Sequence, residues 1–116
     1  MRSHFPTIAL ASLLVIGCSG ETEVVTLHPN GTISIKGYFD SNNLKTGLWT
    51  TWDPGGQKLN TATYKNGHLA KEVRYEWHEN GQKKAEKTYK NGKLDGVWLG
   101  WYENGQKQGE GTYKNG

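Results

Sequence analysis

The sequence predicts an all-β chain: an elongated single-layer antiparallel β-meander of tandem hairpins, with about four units and about eight strands. Three observations carry this. First, Gly47 to Gly116 reads GLWTTWDPGGQKLNTATYKNG, then EVRYEWHENGQKKAEKTYKNG, then GVWLGWYENGQKQGEGTYKNG, one supersecondary unit copied in tandem. Second, Asn-Gly recurs at 30–31, 66–67, 80–81, 91–92, 104–105 and 115–116. This pair tolerates positive φ at low cost and is the strongest short hairpin signal. Third, the segments between these turns are too short for helices and rich in Trp, Tyr, Val and Thr, which fit a pleated surface.

Before the repeats, residues 1–17 read as a signal peptide. Arg2 makes a short basic start, Ile8 to Ile16 form an apolar run, and small residues follow. The run is too short for a membrane span. It closes with Val15-Ile16-Gly17-Cys18, and Cys18 is the only cysteine. This stretch resembles the lipobox of bacterial lipoproteins. The resemblance implies diacylglycerol on the Cys18 thiol and cleavage that leaves Cys18 as the new N-terminus. Two acyl chains give stable anchoring where a single chain is marginal. Ser19 rather than Asp after the cysteine implies, by similarity to known sorting rules, the outer membrane in a two-membrane cell. Residues 18–23 then form the lipidated N-terminus and a short tether, and 24–116 the repeat domain.

The units fall near 22–46, 47–71, 72–95 and 96–116. Trp52, Trp77 and Trp101 share one column, with Leu27 in that place in a degenerate first unit. Tyr64, Tyr89 and Tyr113 share another, and Gly56, Gly81 and Gly105 a third. The period is 25 residues, then 24. Reading Glu103-Asn104-Gly105 as a three-residue loop, a type I turn closed by a glycine bulge, places Trp101 opposite Lys107. Continuing that register places Leu99 opposite Gly109 and Val97 opposite Gly111. One face then carries Val97, Leu99, Trp101, Gly109, Gly111 and Tyr113. In earlier units it carries Val73, Tyr75, Trp77, Ala85 and Tyr89, then Leu48, Trp52, Ala62 and Tyr64, then Val25, Leu27, Ile33, Ile35 and Phe39. The opposite face shows Arg74, Glu76, His78, Lys84, Glu86 and Thr88. A single layer has no second layer to bury its rings, so the repeat aromatics are expected to stack unit on unit. Trp49, Trp98 and Tyr102 fall on the polar face. As exposed aromatics they are the candidate binding residues, a platform for a peptide, a glycan or a choline head group.

Composition narrows the function. Loss of Arg2 with the signal takes the net charge from +3 to about +2. Lysines and carboxylates are interspersed along every unit, so no basic block for nucleic acid exists. No cysteine remains for a disulfide. His28 and His78 share a column with Asp53 and Tyr102, about two units apart, and His68 lies elsewhere, so no convergent metal ligands are expected. Glu72, Glu76, Glu79, Glu86, Asp95, Glu103 and Glu110 alternate with lysines and read as a solvated surface with cross-strand pairs. No nucleophile–base spacing or phosphate loop is present, so neither catalysis nor a cofactor is expected.

Gly96-Val97-Trp98, Trp101-Tyr102-Glu103-Asn104-Gly105-Gln106-Lys107 and Gly111-Thr112-Tyr113-Lys114-Asn115-Gly116 resemble the variant MORN repeat. The resemblance covers 47–116 well and 22–46 weakly. In bacteria this repeat is often labelled a toxin–antitoxin component. It implies hairpin repeats, an elongated sheet and roles in binding proteins or lipids. The expected function is therefore a lipid-anchored envelope module that scaffolds or binds another protein. The alternatives are a glycan- or choline-type envelope-binding module, or an immunity-like partner of an exported toxin. The sequence ends at Gly116 inside a turn, so the last strand is expected to offer an open edge for self-association or β-augmentation.

Overall fold

The computed structural model describes residues 20–116. The expected signal peptide, Cys18 and Ser19 lie outside the described residues. Eight strands follow one another: β1 (Thr22–Leu27), β2 (Ile33–Phe39), β3 (Lys45–Trp52), β4 (Lys58–Lys65), β5 (His68–Trp77), β6 (Lys83–Lys90), β7 (Lys93–Trp101) and β8 (Lys107–Tyr113). They form one antiparallel sheet in sequence order, a meander of hairpins.

Two turn types alternate. The hairpin inside each unit closes with a type I turn and a glycine bulge. Tyr102 N–H donates to Gln106 O at 2.8 Å, Gly105 N–H donates to Tyr102 O at 2.9 Å, and Gly105 has φ of 88°. The same pattern recurs at His28–Thr32, Asp53–Gln57 and His78–Gln82. In two of the hairpins that join units, the loop has two residues, both with positive φ: Asn66 (51°) with Gly67 (81°), and Asn91 (52°) with Gly92 (76°). That is the primed turn whose twist matches its strands.

The pair Trp101↔Lys107 forms as expected, but the register beyond it differs. Leu99 opposes Glu110, not Gly109, and Val97 opposes Thr112, not Gly111. The cause is a second bulge just past the turn, where Gln108 is an extra residue between Lys107 and Gly109. Ser34, Leu59 and Lys84 do the same in the other three units. Each bulge slips the second strand by one residue, and with a period of two that moves its side chains to the other face.

The faces are therefore composed differently from the expectation. One carries Phe39, Trp49, Ala62, Tyr64, Ala85, Tyr89, Trp98, Gly109, Gly111 and Tyr113, together with Glu72, Arg74 and Glu76. We call it the tyrosine face. The other carries Trp52, Val73, Tyr75, Trp77, Val97, Leu99 and Trp101, with Glu86, Thr88, Glu110 and Thr112. We call it the tryptophan face. Both mix rings with charges. A segregated register gains little in a single layer, because neither face has a second layer to bury it. Burial is correspondingly thin: Ala85 and Trp49 are the buried apolar side chains and Thr50 the buried polar one among the described residues.

Candidate functional site

The expected platform of Trp49, Trp98 and Tyr102 does not form. Trp49 is only 9% exposed. Its ring lies over Gly37, where an added Cβ would overlap three indole atoms. Its Nε1–H donates to Tyr38 O at 3.1 Å. Phe39 and Tyr64 meet it edge-on, with centroids at 5.2 and 6.2 Å, and the Lys45 ammonium caps it at 4.6 Å. The residue read as an exposed binding aromatic is the anchor of unit 2. Trp98, half-buried, spreads across Gly100 and Gly109 on the tyrosine face. Tyr102 is exposed but sits at a turn, so the three share no patch.

Arg74 stands in the repeat column of Trp49 and Trp98. It does the same work by charge: its guanidinium lies 4.2 Å from the Tyr89 ring and bonds Glu72 at 3.2 Å. That hydrogen bond raises the Arg74 pKa. Beside it Lys87 pairs with Glu76 at 2.9 Å, and this hydrogen bond raises the lysine pKa above 10.5.

On the tryptophan face, Trp52, Trp77 and Trp101 do share one row, each half-buried. They do not stack on one another. Rings in one column are two strands apart, about 9.6 Å at ordinary strand spacing, beyond the 4.5–7 Å reach of aromatic pairs. The lysines of the intervening strands fill the gaps instead. Lys83 Nζ lies 5.4 Å from Tyr75, 6.0 Å from Trp77 and 5.4 Å from Trp101, and pairs with Glu86. Lys58 Nζ lies 5.6 Å from Tyr75, and its carbonyl accepts the Trp77 indole N–H at 2.7 Å. Tyr64 and Tyr89 are half-buried and Tyr113 exposed, all on the tyrosine face rather than beside these tryptophans.

His28 and His78 serve the fold. His28 Nε2 meets Trp52 O at 2.8 Å, and His78 Nε2 meets Trp101 O at 2.8 Å. The amide of Asn30 donates to Pro54 O at 2.9 Å, and that of Asn80 to Glu103 O at 2.7 Å. Turn is thereby clasped to turn across unit boundaries. The shared column of His28 and His78 was legible as a repeat, but its partner is a backbone carbonyl, which no side-chain pattern announces. Among the described residues no three His, Cys, Asp or Glu side chains gather as metal ligands.

The family described as "MORN repeat variant" matches residues 45–66, 73–91 and 94–115, more than half of the chain. No curated protein matches it.

Proposed function

This chain belongs to the MORN repeat variant family, and from that premise we propose that it works as a lipid-anchored, non-catalytic scaffold of the cell envelope that docks an exported protein. The observation that carries the reading is the construction of the sheet: successive units hydrogen-bonded side chain to backbone, with both faces left to solvent. Such a strip offers wide, fixed surfaces on which another protein can lie. The family is a non-enzymatic repeat module.

Anchoring through Cys18 is supported by the charge layout. β1 starts at Thr22, opposite Phe39, so the tether leaves the sheet at the end of the turns between units. Exposed Lys65, Lys90, Lys93 and Lys114 lie at that end. Asp53, Glu79 and Glu103 lie in the turns at the other. Glu21 and Asp40 share the first end and Lys58, Lys83 and Lys107 the second. The lysines still outnumber the carboxylates at the end the tether leaves, and each lysine near an anionic surface would contribute about 1 kcal/mol.

Two measurements test this. Cys18→Ser is expected to abolish palmitate incorporation and release the protein from membranes; unchanged labelling would refute the anchor. Cross-linking in intact envelopes is expected to recover one stoichiometric exported protein. Recovery of none, with the fold intact, would refute the scaffold.

A further inference from the structure

The tryptophan face carries two shallow depressions that are the same place in two different units. One is lined by Gly31, Thr32, Ile33, Trp52 and Gly56 and has a volume of about 460 Å³. The other is lined by Gln82, Lys83, Trp101 and Gly105 and has a volume of about 260 Å³. In the repeat, Thr32 corresponds to Gln82, Ile33 to Lys83, Trp52 to Trp101 and Gly56 to Gly105. Each depression therefore has an indole for its floor, a hydrogen-bonding side chain beside it and a glycine for its wall; in the second, Lys83 Nζ stands 5.4 Å from the indole centroid and borders the opening. The glycines have φ of 90° and 88°. A Cβ at Gly56 would meet nothing within 4 Å, so open space adjoins the ring. At the third equivalent place the tryptophan is held differently: the Trp77 indole N–H donates to Lys58 O.

We propose that these two sites bind one linear, neutral, β-linked polysaccharide, each indole stacking under the apolar face of a sugar ring. Three features select this occupant. The sites are too open to enclose a small molecule, which needs most of its surface buried; a polymer held weakly at two points does not. Trp52 and Trp101 lie on β3 and β7, four strands apart, about 19 Å at ordinary strand spacing, a length covered by about four hexose rings. Charge also fits. No charged residue lines the first site, and the only one lining the second, Lys83, is neutralised by Glu86. A polyanion would find no net positive charge at either place. Hydroxyl groups would find the Gln82 amide, the Thr32 hydroxyl and the glycine backbone. The inference stands apart from anchoring at Cys18 and from the docking of a protein.

The test uses the full chain in detergent with N-acetylglucosamine oligomers and cello-oligosaccharides of two, four and six sugars, read by calorimetry and tryptophan fluorescence. Two-point binding predicts that in at least one series the six-sugar oligomer binds at least about tenfold more tightly than the two-sugar one. Trp52→Phe and Trp101→Phe keep a ring for the fold. Each is expected to lower affinity for the six-sugar oligomer, and Trp52→Ala with Trp101→Ala to abolish it. Trp98→Phe, on the opposite face, is expected to leave it unchanged. Circular dichroism of each variant separates loss of the site from loss of the fold. Absence of binding by every oligomer, affinity independent of length, or sensitivity to Trp98→Phe alone would overturn the proposal.

Discussion

Gly37→Ala adds one methyl group to the middle of β2 and tests whether Trp49 anchors the sheet. The residue has no positive φ, so alanine suits the backbone. On backbone entropy alone the change would stabilise a strand by roughly 0.5–1 kcal/mol. The new Cβ, however, would fall inside the Trp49 ring. The ring has no slack, since it is held by the bond to Tyr38 O and flanked by Phe39 and Tyr64. If the indole is expelled, the loss approaches that of a buried tryptophan, about 3–5 kcal/mol. Set against the backbone gain, the net destabilisation is about 2–4 kcal/mol. Urea unfolding followed by fluorescence reads this. With a slope of about 1–1.5 kcal/mol/M for a small domain, the midpoint should fall by roughly 2 M. In a Trp49→Ala background the sign should reverse, because the clash is gone and the backbone term remains. A Gly37→Ala protein that unfolds at the wild-type midpoint, or that costs as much without Trp49 as with it, would refute the packing described for unit 2.

Other outcomes follow from the same contacts. Asn80→Ala should lower stability by about 0.5–1.5 kcal/mol through loss of the bond to Glu103 O, and Gly55→Asn should raise it by a similar amount by supplying the clasp that unit 2 lacks; urea midpoints check both. Lys87 has its pKa raised by Glu76, so its contribution is complete below pH 10.5 and lost as pH rises through the higher folded value. Lys87→Met should therefore flatten the alkaline limb of the stability profile and leave its dependence near neutrality unchanged. Proline at Glu110, Thr112 or Tyr113 in β8, the last described strand, removes a backbone donor. At least one of the three should reduce the mass seen in light scattering or the capture of an envelope partner, and if none does, edge pairing through β8 is abandoned.

The fold was legible because its turns are written in residue types with a conformational meaning. Gly31, Gly56, Gly67, Gly81, Gly92 and Gly105 all take the positive φ that their turns require. The faces were not legible, because the second bulge has no sequence signature: Ser34, Leu59, Lys84 and Gln108 share neither size nor polarity. One clue was available. Small residues in β4 and β8 do make room for large rings, but for those of Trp49, opposite Ala62, and Trp98. Gly109 lies under Trp98 itself. A tryptophan with glycines beneath it is a stronger register signal than the separation of apolar from polar side chains.

The turn clasps join unit 1 to unit 2 and unit 3 to unit 4. Between units 2 and 3 they are absent, since Asp53 and Gly55 replace the histidine and asparagine. At this same boundary β5 carries Arg74 in place of tryptophan. The array is thus two doublets meeting at a seam between β4 and β5. In a linear array whose stability is a sum over neighbouring interfaces, the weakest interface decides where cooperativity breaks. The strands at this boundary are still joined, since Trp77 Nε1–H donates to Lys58 O at 2.7 Å and Asn60 Nδ2 donates to Glu72 Oε2 at 3.0 Å, so it is the turns after β3 and β5, unclasped to each other, that would part before the strands they lead from.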